Sequence, residues 1–324
     1  MADTVSFPGV EPRDDAPFAA PDNCLLTLFD WPADRVLALL DRAAAMKASA
    51  DRPTPLAGRT VVQIYDKPSL RTRLSFAAAV GSLGGSDLFL TSKDAGLEGR
   101  EDPADVAKVL GRMAAAVVMR TFGQSKVEAL AEHAGVPVIN GLTDEFHPCQ
   151  ALTDLLTLRE AFGTDDLAGR RIAFVGDGNN VSRSLAVACA KAGVAFTLCS
   201  PPGYEFAGDF LDRLEAAVPG ADVDHQALPA KAVHNADAVV TDVWASMGEE
   251  DQKDAKLAAF ANYQVDQGLL DGAKPDAVFL HCLPAHRGEE VTAAVIDGPK
   301  SRVFDQAENR MHVARALLAE LCER

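Results

Sequence analysis

Lys67-Pro68-Ser69-Leu70-Arg71-Thr72-Arg73 lies between an apolar, strand-like run, Val61 to Tyr65, and a helix-like run, Leu74 to Leu83. A strand running into a helix N-terminus is an anion site by construction, because the first turn has unpaired N–H groups and a positive dipole end. Arg71 and Arg73 fall in that first turn, where a positive side chain opposes the dipole by roughly 0.3–1 kcal/mol. Ser69 alone is accounted for as an N-cap. The cap, Thr72 and two arginines together point to a dianion such as phosphate.

The chain has 324 residues, enough for two domains with a core each, and 48% of them are hydrophobic, which excludes a disordered chain. Its net charge of −16 argues against nucleic acid as a partner. An anionic substrate must therefore be held by local arginines against the overall field. Cys24, Cys149, Cys189, Cys199, Cys282 and Cys322 contain no C-x-x-C and no zinc-type spacing. They read as reduced thiols of a cytoplasmic protein, with no metal expected. No apolar run approaches membrane-spanning length, so no membrane is expected. Residues 1–21 are polar, acidic and Pro-rich and read as a loose leader.

Strand and helix patterns alternate along the rest. Asp30-Trp31-Pro32 reads as a helix start, with Asp as cap and Pro in the first turn. Strands are expected at 61–65, 87–90, 115–119 and 137–139, then at 171–175, 195–199, 238–242 and 277–281. Helices are expected at 74–83, 101–113, 125–134, 147–162, 181–191, 206–217 and 305–323. The pattern predicts an α/β chain of two doubly wound parallel-sheet domains, joined by interdomain helices, with the active site in the cleft between them. Ligands of such sheets sit beyond the carboxyl ends of the strands, and the chemically loaded residues fall there: Ser69 to Arg73, Arg120, Asn179-Asn180, Asp242 to Gly248, and His281 to Pro284.

Each has a bland reading beside the functional one. Gly176-Asp177-Gly178-Asn179-Asn180 resembles a dinucleotide turn, which keeps a nicotinamide enzyme as a rival, but the third glycine is missing. Asn179 and Asn180 could cap a helix or present an amide to a carboxylate. His147 shares a helix start with Gln150, which both donates and accepts, a combination suited to a small amide-like group. Asp242 could cap a strand or bind an amine. Cys282 could be an inert buried thiol. His286, Arg287 and Arg310 could be surface charges.

Taken together, seven segments resemble the aspartate/ornithine transcarbamoylase family, in its ornithine branch: SLRTR at 69–73, MRTFGQ at 119–124, FHPCQALTDLLT at 146–157, GDGNNV at 176–181, DVWASMGEE at 242–250, HCLPAHRGEE at 281–290 and ENRMH at 308–312. The resemblance runs from about Leu25 to the C-terminus. It implies a carbamoyl phosphate-binding half at 1–150, completed by the C-terminal helix at 305–324, and an ornithine-binding half at 151–304. By the same resemblance Ser69, Leu70, Arg71, Thr72 and Arg120 hold the phosphate, and Thr72 and His147 the carbamoyl oxygen. Gln150, Cys282, Leu283 and Arg310 surround the carbamoyl end. Asn180 and Met247 take the ornithine carboxylate, Asp242 and Ser246 its α-amine, and Cys282 the attacking amine. Arg71, His147, Asp242 and Cys282 are then the catalytic set. The resemblance also implies transfer to L-ornithine, giving L-citrulline and phosphate in an arginine-biosynthesis or urea-cycle-type step. It further implies a homotrimer with no cofactor and no catalytic metal.

Two positions depart from the family. Leu70 stands where a threonine is usual, removing one hydroxyl from the phosphate site. Gly96-Leu97-Glu98 replaces a Gln-Leu-Gly that reaches a neighbouring subunit, with Lys93 and Arg100 as the nearby basic substitutes. Carboxyl-end chemistry further on bears on the acceptor: Asp242 with the Ser-Met-Gly loop fits ornithine, whereas N-acetylornithine or putrescine enzymes diverge there. A carbamoyltransferase-like binding protein without turnover is the non-enzyme reading.

Overall fold

The computed structural model describes residues 18–245, 248 and 250–323, the Glu250 side chain excepted. Ser246, Met247 and most of the acidic leader lie outside them. The chain divides into two compact units, one made of the described part of Met1–Trp31 with Arg42–Cys149 and Met311–Arg324, the other of Pro32–Asp41 and Gln150–Arg310.

The first unit alternates strand and helix: β1 (Thr60–Tyr65), α2 (Leu70–Ser82), β2 (Ser86–Thr91), α3 (Pro103–Met113), β3 (Ala116–Arg120), α4 (Gln124–Ala134) and β4 (Val138–Leu142). They follow α1 (Ala33–Ala48) and lead into α5 (Pro148–Phe162). The second unit continues with β5 (Arg171–Val175), α6 (Asn180–Lys191), β6 (Ala195–Cys199), α7 (Gly208–Ala217), β7 (Val223–Gln226), α8 (Pro229–Ala232) and β8 (Ala238–Thr241). A 3-10 turn at Glu250–Gln252 precedes α9 (Lys253–Ala259), α10 (Gln267–Asp271), β9 (Val278–His281), α11 (Ala293–Ile296) and α12 (Val303–Cys322). The chain passes from one unit to the other just before α1 and again inside α1, α5 and α12.

Among the described residues the strands form two sheets, ordered β2-β1-β3-β4 and β7-β6-β5-β8-β9. Every pairing is parallel. Parallel strands are covered on both faces and so read as continuous apolar runs; Val61–Tyr65 and Ile172–Val175 are buried throughout. Val62, Ile64, Val117, Met119 and Leu130 pack one core, and Val175, Val239, Trp244, Phe260 and Phe279 pack the other.

In each unit's own strand numbering the orders are 2-1-3-4 and 3-2-1-4-5. Both reverse direction once, between β1 and β3 in the first sheet and between β5 and β8 in the second. Such a reversal opens a crevice at the carboxyl ends of the two strands that flank it. The expected helix start at Asp30 takes a different form. Asp30 Oδ2 accepts from both Thr27 N and Thr27 Oγ1 at 3.0 Å, and Pro32 precedes the first helical residue, Ala33. Among the described residues, no helix is long and apolar enough to cross a membrane.

Candidate functional site

The reversal in the first sheet carries the opening motif. Tyr65 pairs with Arg120 at the carboxyl ends of β1 and β3, and Ser69 caps α2 from the β1 side, its Oγ accepting from Thr72 N at 3.2 Å and donating to Thr72 Oγ1 at 3.0 Å. Arg71 and Thr72 therefore occupy the second and third helical positions, within the turn of unpaired N–H groups. Thr72, Arg120 and His147 are buried and Arg71 half-buried.

Arg73 separates from this group. Its guanidinium stacks on the Phe89 ring, 3.8 Å from the centroid, so the first-turn charge argument rests on Arg71 alone. Leu70 opens the helix with 73% of its surface exposed. Lys67, buried, pairs with Asp144 and lies 4.4 Å over the Phe122 ring. Leu97 is a core residue and Arg100 is bound to Glu101 at 2.8 Å. Lys93, exposed, is the other basic side chain of that loop named above.

The reversal in the second sheet carries the glycine turn and Asp242. The two asparagines divide the work. Asn179 is the cap, with Oδ1 accepting from Val181 N and Ser182 N at 3.0 and 3.1 Å, and Asn180 is the first helical residue. Asn179 Nδ2 also donates to Asp242 Oδ2 at 3.3 Å. The glycines are not arranged for a dinucleotide. Gly176 N donates to Cys199 O and Gly178 N to Tyr204 O, each at 2.9 Å. A Cβ on Gly178 would meet Glu205 O at 2.8 Å. A Cβ on Gly176 would meet the Phe174 ring at 3.0 Å, so close packing against that ring and against the 199–205 loop accounts for the two glycines without a pyrophosphate.

Cys282 Sγ donates to Asp242 Oδ1 at 3.0 Å. Burial and the adjacent Asp242 charge push this thiol well above its usual value, so the group at neutral pH is a thiol and donates the hydrogen bond that Asp242 accepts. The next residue, Leu283, has a φ of +57°, a strained conformation for a branched side chain. Its N–H donates to His281 Nδ1 at 2.9 Å, and His281 Nε2 lies 3.0 Å from Glu290 Oε1. Nδ1 accepts, so the ring proton is on Nε2 and goes to the Glu290 carboxylate.

Around the start of α5, Arg310 Nη1 donates to Gln150 Oε1, Gln150 Nε2 donates to Asp154 Oδ1 at 2.7 Å, and Gln306 Nε2 donates to the same oxygen at 2.6 Å. Gln306 Oε1 in turn accepts from His281 N at 2.9 Å. Ser246 and Met247, expected at the ornithine end, fall outside the described residues. His286 and Arg287 make surface pairs, with Glu289 at 3.3 Å and Asp297 at 2.6 Å.

Among the described residues, two groups have metal-type ligand atoms within 4.8 Å of one another: Asp242, His281 and Cys282, and His286, Glu289 and Glu290. In the first, both His281 nitrogens and the Cys282 thiol already make protein hydrogen bonds. A cation there would have to break the Cys282–Asp242 bond and one of the two His281 bonds.

A sequence profile described as the aspartate/ornithine carbamoyltransferase carbamoyl-P binding domain matches residues 23–160, and one described as the Asp/Orn binding domain of the same enzymes matches residues 168–321. The chain belongs to the aspartate/ornithine carbamoyltransferase family. Within this family, a protein described as ornithine carbamoyltransferase from Bacillus subtilis is 49% identical over 296 residues, covering 91% of this chain and 92% of its own. The crystal structure of ornithine carbamoyltransferase from Thermus thermophilus superposes with a TM-score of 0.84 at 42% identity, over 93% of this chain and 99% of that one. Ornithine carbamoyltransferase from Pyrococcus furiosus gives 0.87 at 44% identity, over 91% and 95%.

Sequence reasoning missed Asp154, Gln306 and Glu290. Each is buried and polar. Asp154 stands four residues after Gln150 on one helix, a spacing that places side chains together. That was the available signal. Gln306 and Glu290 reach the network through tertiary contacts and left none.

Proposed function

We propose that this protein transfers the carbamoyl group of carbamoyl phosphate to the side-chain amine of L-ornithine, giving L-citrulline and phosphate. One observation carries the reading: both sheet reversals, the expected binding points of doubly wound folds, are occupied by complementary chemistry. At the first stand Ser69, the Leu70 backbone, Arg71, Thr72 and Arg120, suited to a phosphate. At the second stand Asn180 and the Asp242–Cys282 pair, suited to an amino acid with a second amine. The family membership and the names of the relatives support the same assignment.

The amine nitrogen attacks the carbamoyl carbon, a C–N bond forms, and the bond to the phosphate oxygen breaks. The amine, with an ordinary pKa of about 10.4, must first lose a proton; the hydrogen bond that the Asp242 carboxylate accepts from Cys282 supports Asp242 as the group that receives it. Arg71, Thr72 and His147 stabilise the negative charge that develops on the carbonyl oxygen. Gln150, Arg310 and the Leu283 carbonyl orient the carbamoyl group. Arg71 and Arg120 stabilise the departing phosphate through charge-assisted hydrogen bonds. Asn180 and the Met247 backbone receive the amino-acid carboxylate, with Ser246 beside the α-amine. The first unit acts as the carbamoyl phosphate half and the second as the ornithine half. A homotrimer in the cytoplasm, serving arginine biosynthesis, completes the proposal.

The test is a stopped assay with carbamoyl phosphate and L-ornithine, reading citrulline and phosphate together. Equal amounts of both, dependent on protein, are expected. Phosphate release without citrulline, or neither product, overturns the proposal.

A further inference from the structure

The residues assigned to the carbamoyl end have a common support that none of the assignments above includes. Asp154 is buried on α5, and one of its oxygens, Oδ1, accepts both from Gln150 Nε2 at 2.7 Å and from Gln306 Nε2 at 2.6 Å. Its other oxygen, Oδ2, is buried and makes no hydrogen bond among the described residues. We propose that Asp154 is a positioning residue for carbamoyl transfer, locking the Gln150 amide with its oxygen toward Arg310 and, through Gln306, anchoring the backbone that carries Cys282 and Leu283.

An ionised carboxylate only accepts hydrogen bonds. Gln150 and Gln306 must therefore both turn their NH2 groups to Asp154, which fixes where their carbonyl oxygens point. Gln150 Oε1 accepts from Arg310 Nη1, leaving an acceptor lone pair on a carbonyl for the NH2 of a carbamoyl group. Gln306 Oε1 accepts from His281 N at 2.9 Å, one residue before Cys282. One carboxylate thus sets the amide that meets the carbamoyl nitrogen and the strand end that presents Leu283.

A side chain serving only the fold would be better uncharged. Burial pushes the Asp154 carboxyl up to about 6, against hydrogen bonds from Gln150 and Gln306 and the positive Arg310, with Asp242 adding to the rise. The charged groups facing it are Arg310 on α12 and Asp242 after β8; the thiols of Cys189 on α6 and Cys282 after β9 feel its charge in turn. Protonation would give Asp154 a donor and let either amide reverse, so the lock holds above that range and loosens below it.

The inference rests on the proposed reaction, and the experiment separates the two. Wild type, Asp154→Asn, Gln150→Ala and the double variant are assayed with carbamoyl phosphate and L-ornithine from pH 5 to 9, with melting temperatures taken alongside. Asp154→Asn is expected to lose about 10- to 100-fold in kcat/KM for carbamoyl phosphate at pH 7.5, with a melting temperature equal to or above wild type. Its profile should lack the acid limb near pH 6, while the ionisation of the substrates is common to both proteins. In the Gln150→Ala background, the same change should cost little more, because both act on one amide. Losses that multiply in the double variant, or a variant with wild-type rate and acid limb, overturn the role of Asp154 while leaving the reaction standing. Wild type that forms no citrulline overturns both.

Discussion

Cys282 Sγ donates to Asp242 Oδ1 across 3.0 Å, joining the ends of β9 and β8. Burial and the Asp242 charge raise the thiol, and only the thiolate is strongly nucleophilic. Asp242→Asn removes the charge, so Cys282 should become the faster target of iodoacetamide at pH 8.5, read as site-specific mass gain. Slower or unchanged labelling contradicts the assigned pairing. Cys189, Cys199 and Cys322 are buried and also raised, the latter two to about 12 and about 11, and should stay unlabelled in both proteins.

Arg71 should be the most damaging single loss. In the proposed reaction it both holds the phosphate and meets the carbonyl oxygen, so Arg71→Ala is expected to lower kcat/KM by about 100- to 1,000-fold. His147→Ala and Cys282→Ala, which each remove one contact, should lose about 10-fold to 100-fold. Steady-state kinetics on the three variants rank them. A wild-type rate for Arg71→Ala would refute the phosphate assignment.

Leu70 predicts a gain. It is 73% exposed at the first position of α2, so a polar replacement should change stability by less than about 0.5 kcal/mol. Leu70→Thr restores the hydroxyl usual for the family and should lower KM for carbamoyl phosphate about fivefold, the worth of one hydrogen bond of roughly 1 kcal/mol. An unchanged or higher KM would show that the backbone N–H is the whole of its contribution.

Asp237 predicts an effect on stability alone. It is buried and accepts from Arg170 Nη1 and Lys274 Nζ at 2.8 Å and from Arg171 N at 2.9 Å. Burial pushes its carboxyl up, but Lys274, Arg170 and the Arg171 backbone outweigh it and hold it below the usual value. A carboxyl lower in the folded state stabilises above its unfolded pKa, near 4, and loses that contribution as pH falls through the folded value. Asp237→Asn should therefore cost about 1–3 kcal/mol at pH 7, with the gap to wild type closing below pH 4 in urea titrations. A gap that persists at low pH contradicts the charge-based account. Asp154, with its carboxyl raised to about 6, has the opposite sign: its ionisation removes stability as pH rises through that value.

Most of the fold was legible because parallel strands buried on both faces leave unbroken apolar runs such as Val61 to Tyr65 and Ile172 to Val175. Val223–Gln226 escaped because it is an edge strand with one apolar residue, half-exposed in the sheet. Short helices such as Pro229–Ala232 and Ala293–Ile296 carry too few turns to show a period. In the candidate site, Ser69 and Arg71 stood out by type after a strand, whereas Asp242 and Cys282 each carried an ordinary reading until taken with the other segments. Arg73 misled, since only tertiary structure reveals Phe89 beneath it. The Asp154–Gln306–His281 chain joins residues from three elements, and no local pattern records such a meeting.

The central claim is the acceptor as well as the donor. The most direct measurement is kcat/KM with carbamoyl phosphate against L-ornithine, N-acetyl-L-ornithine, putrescine and L-aspartate under one set of conditions. L-Ornithine should exceed each of the others by at least about 100-fold, because the proposal matches Asp242 and Asn180 to its free α-amine and carboxylate. Citrulline formed no faster than the N-acetylated product, or preference for an acceptor lacking either group, would contradict the account.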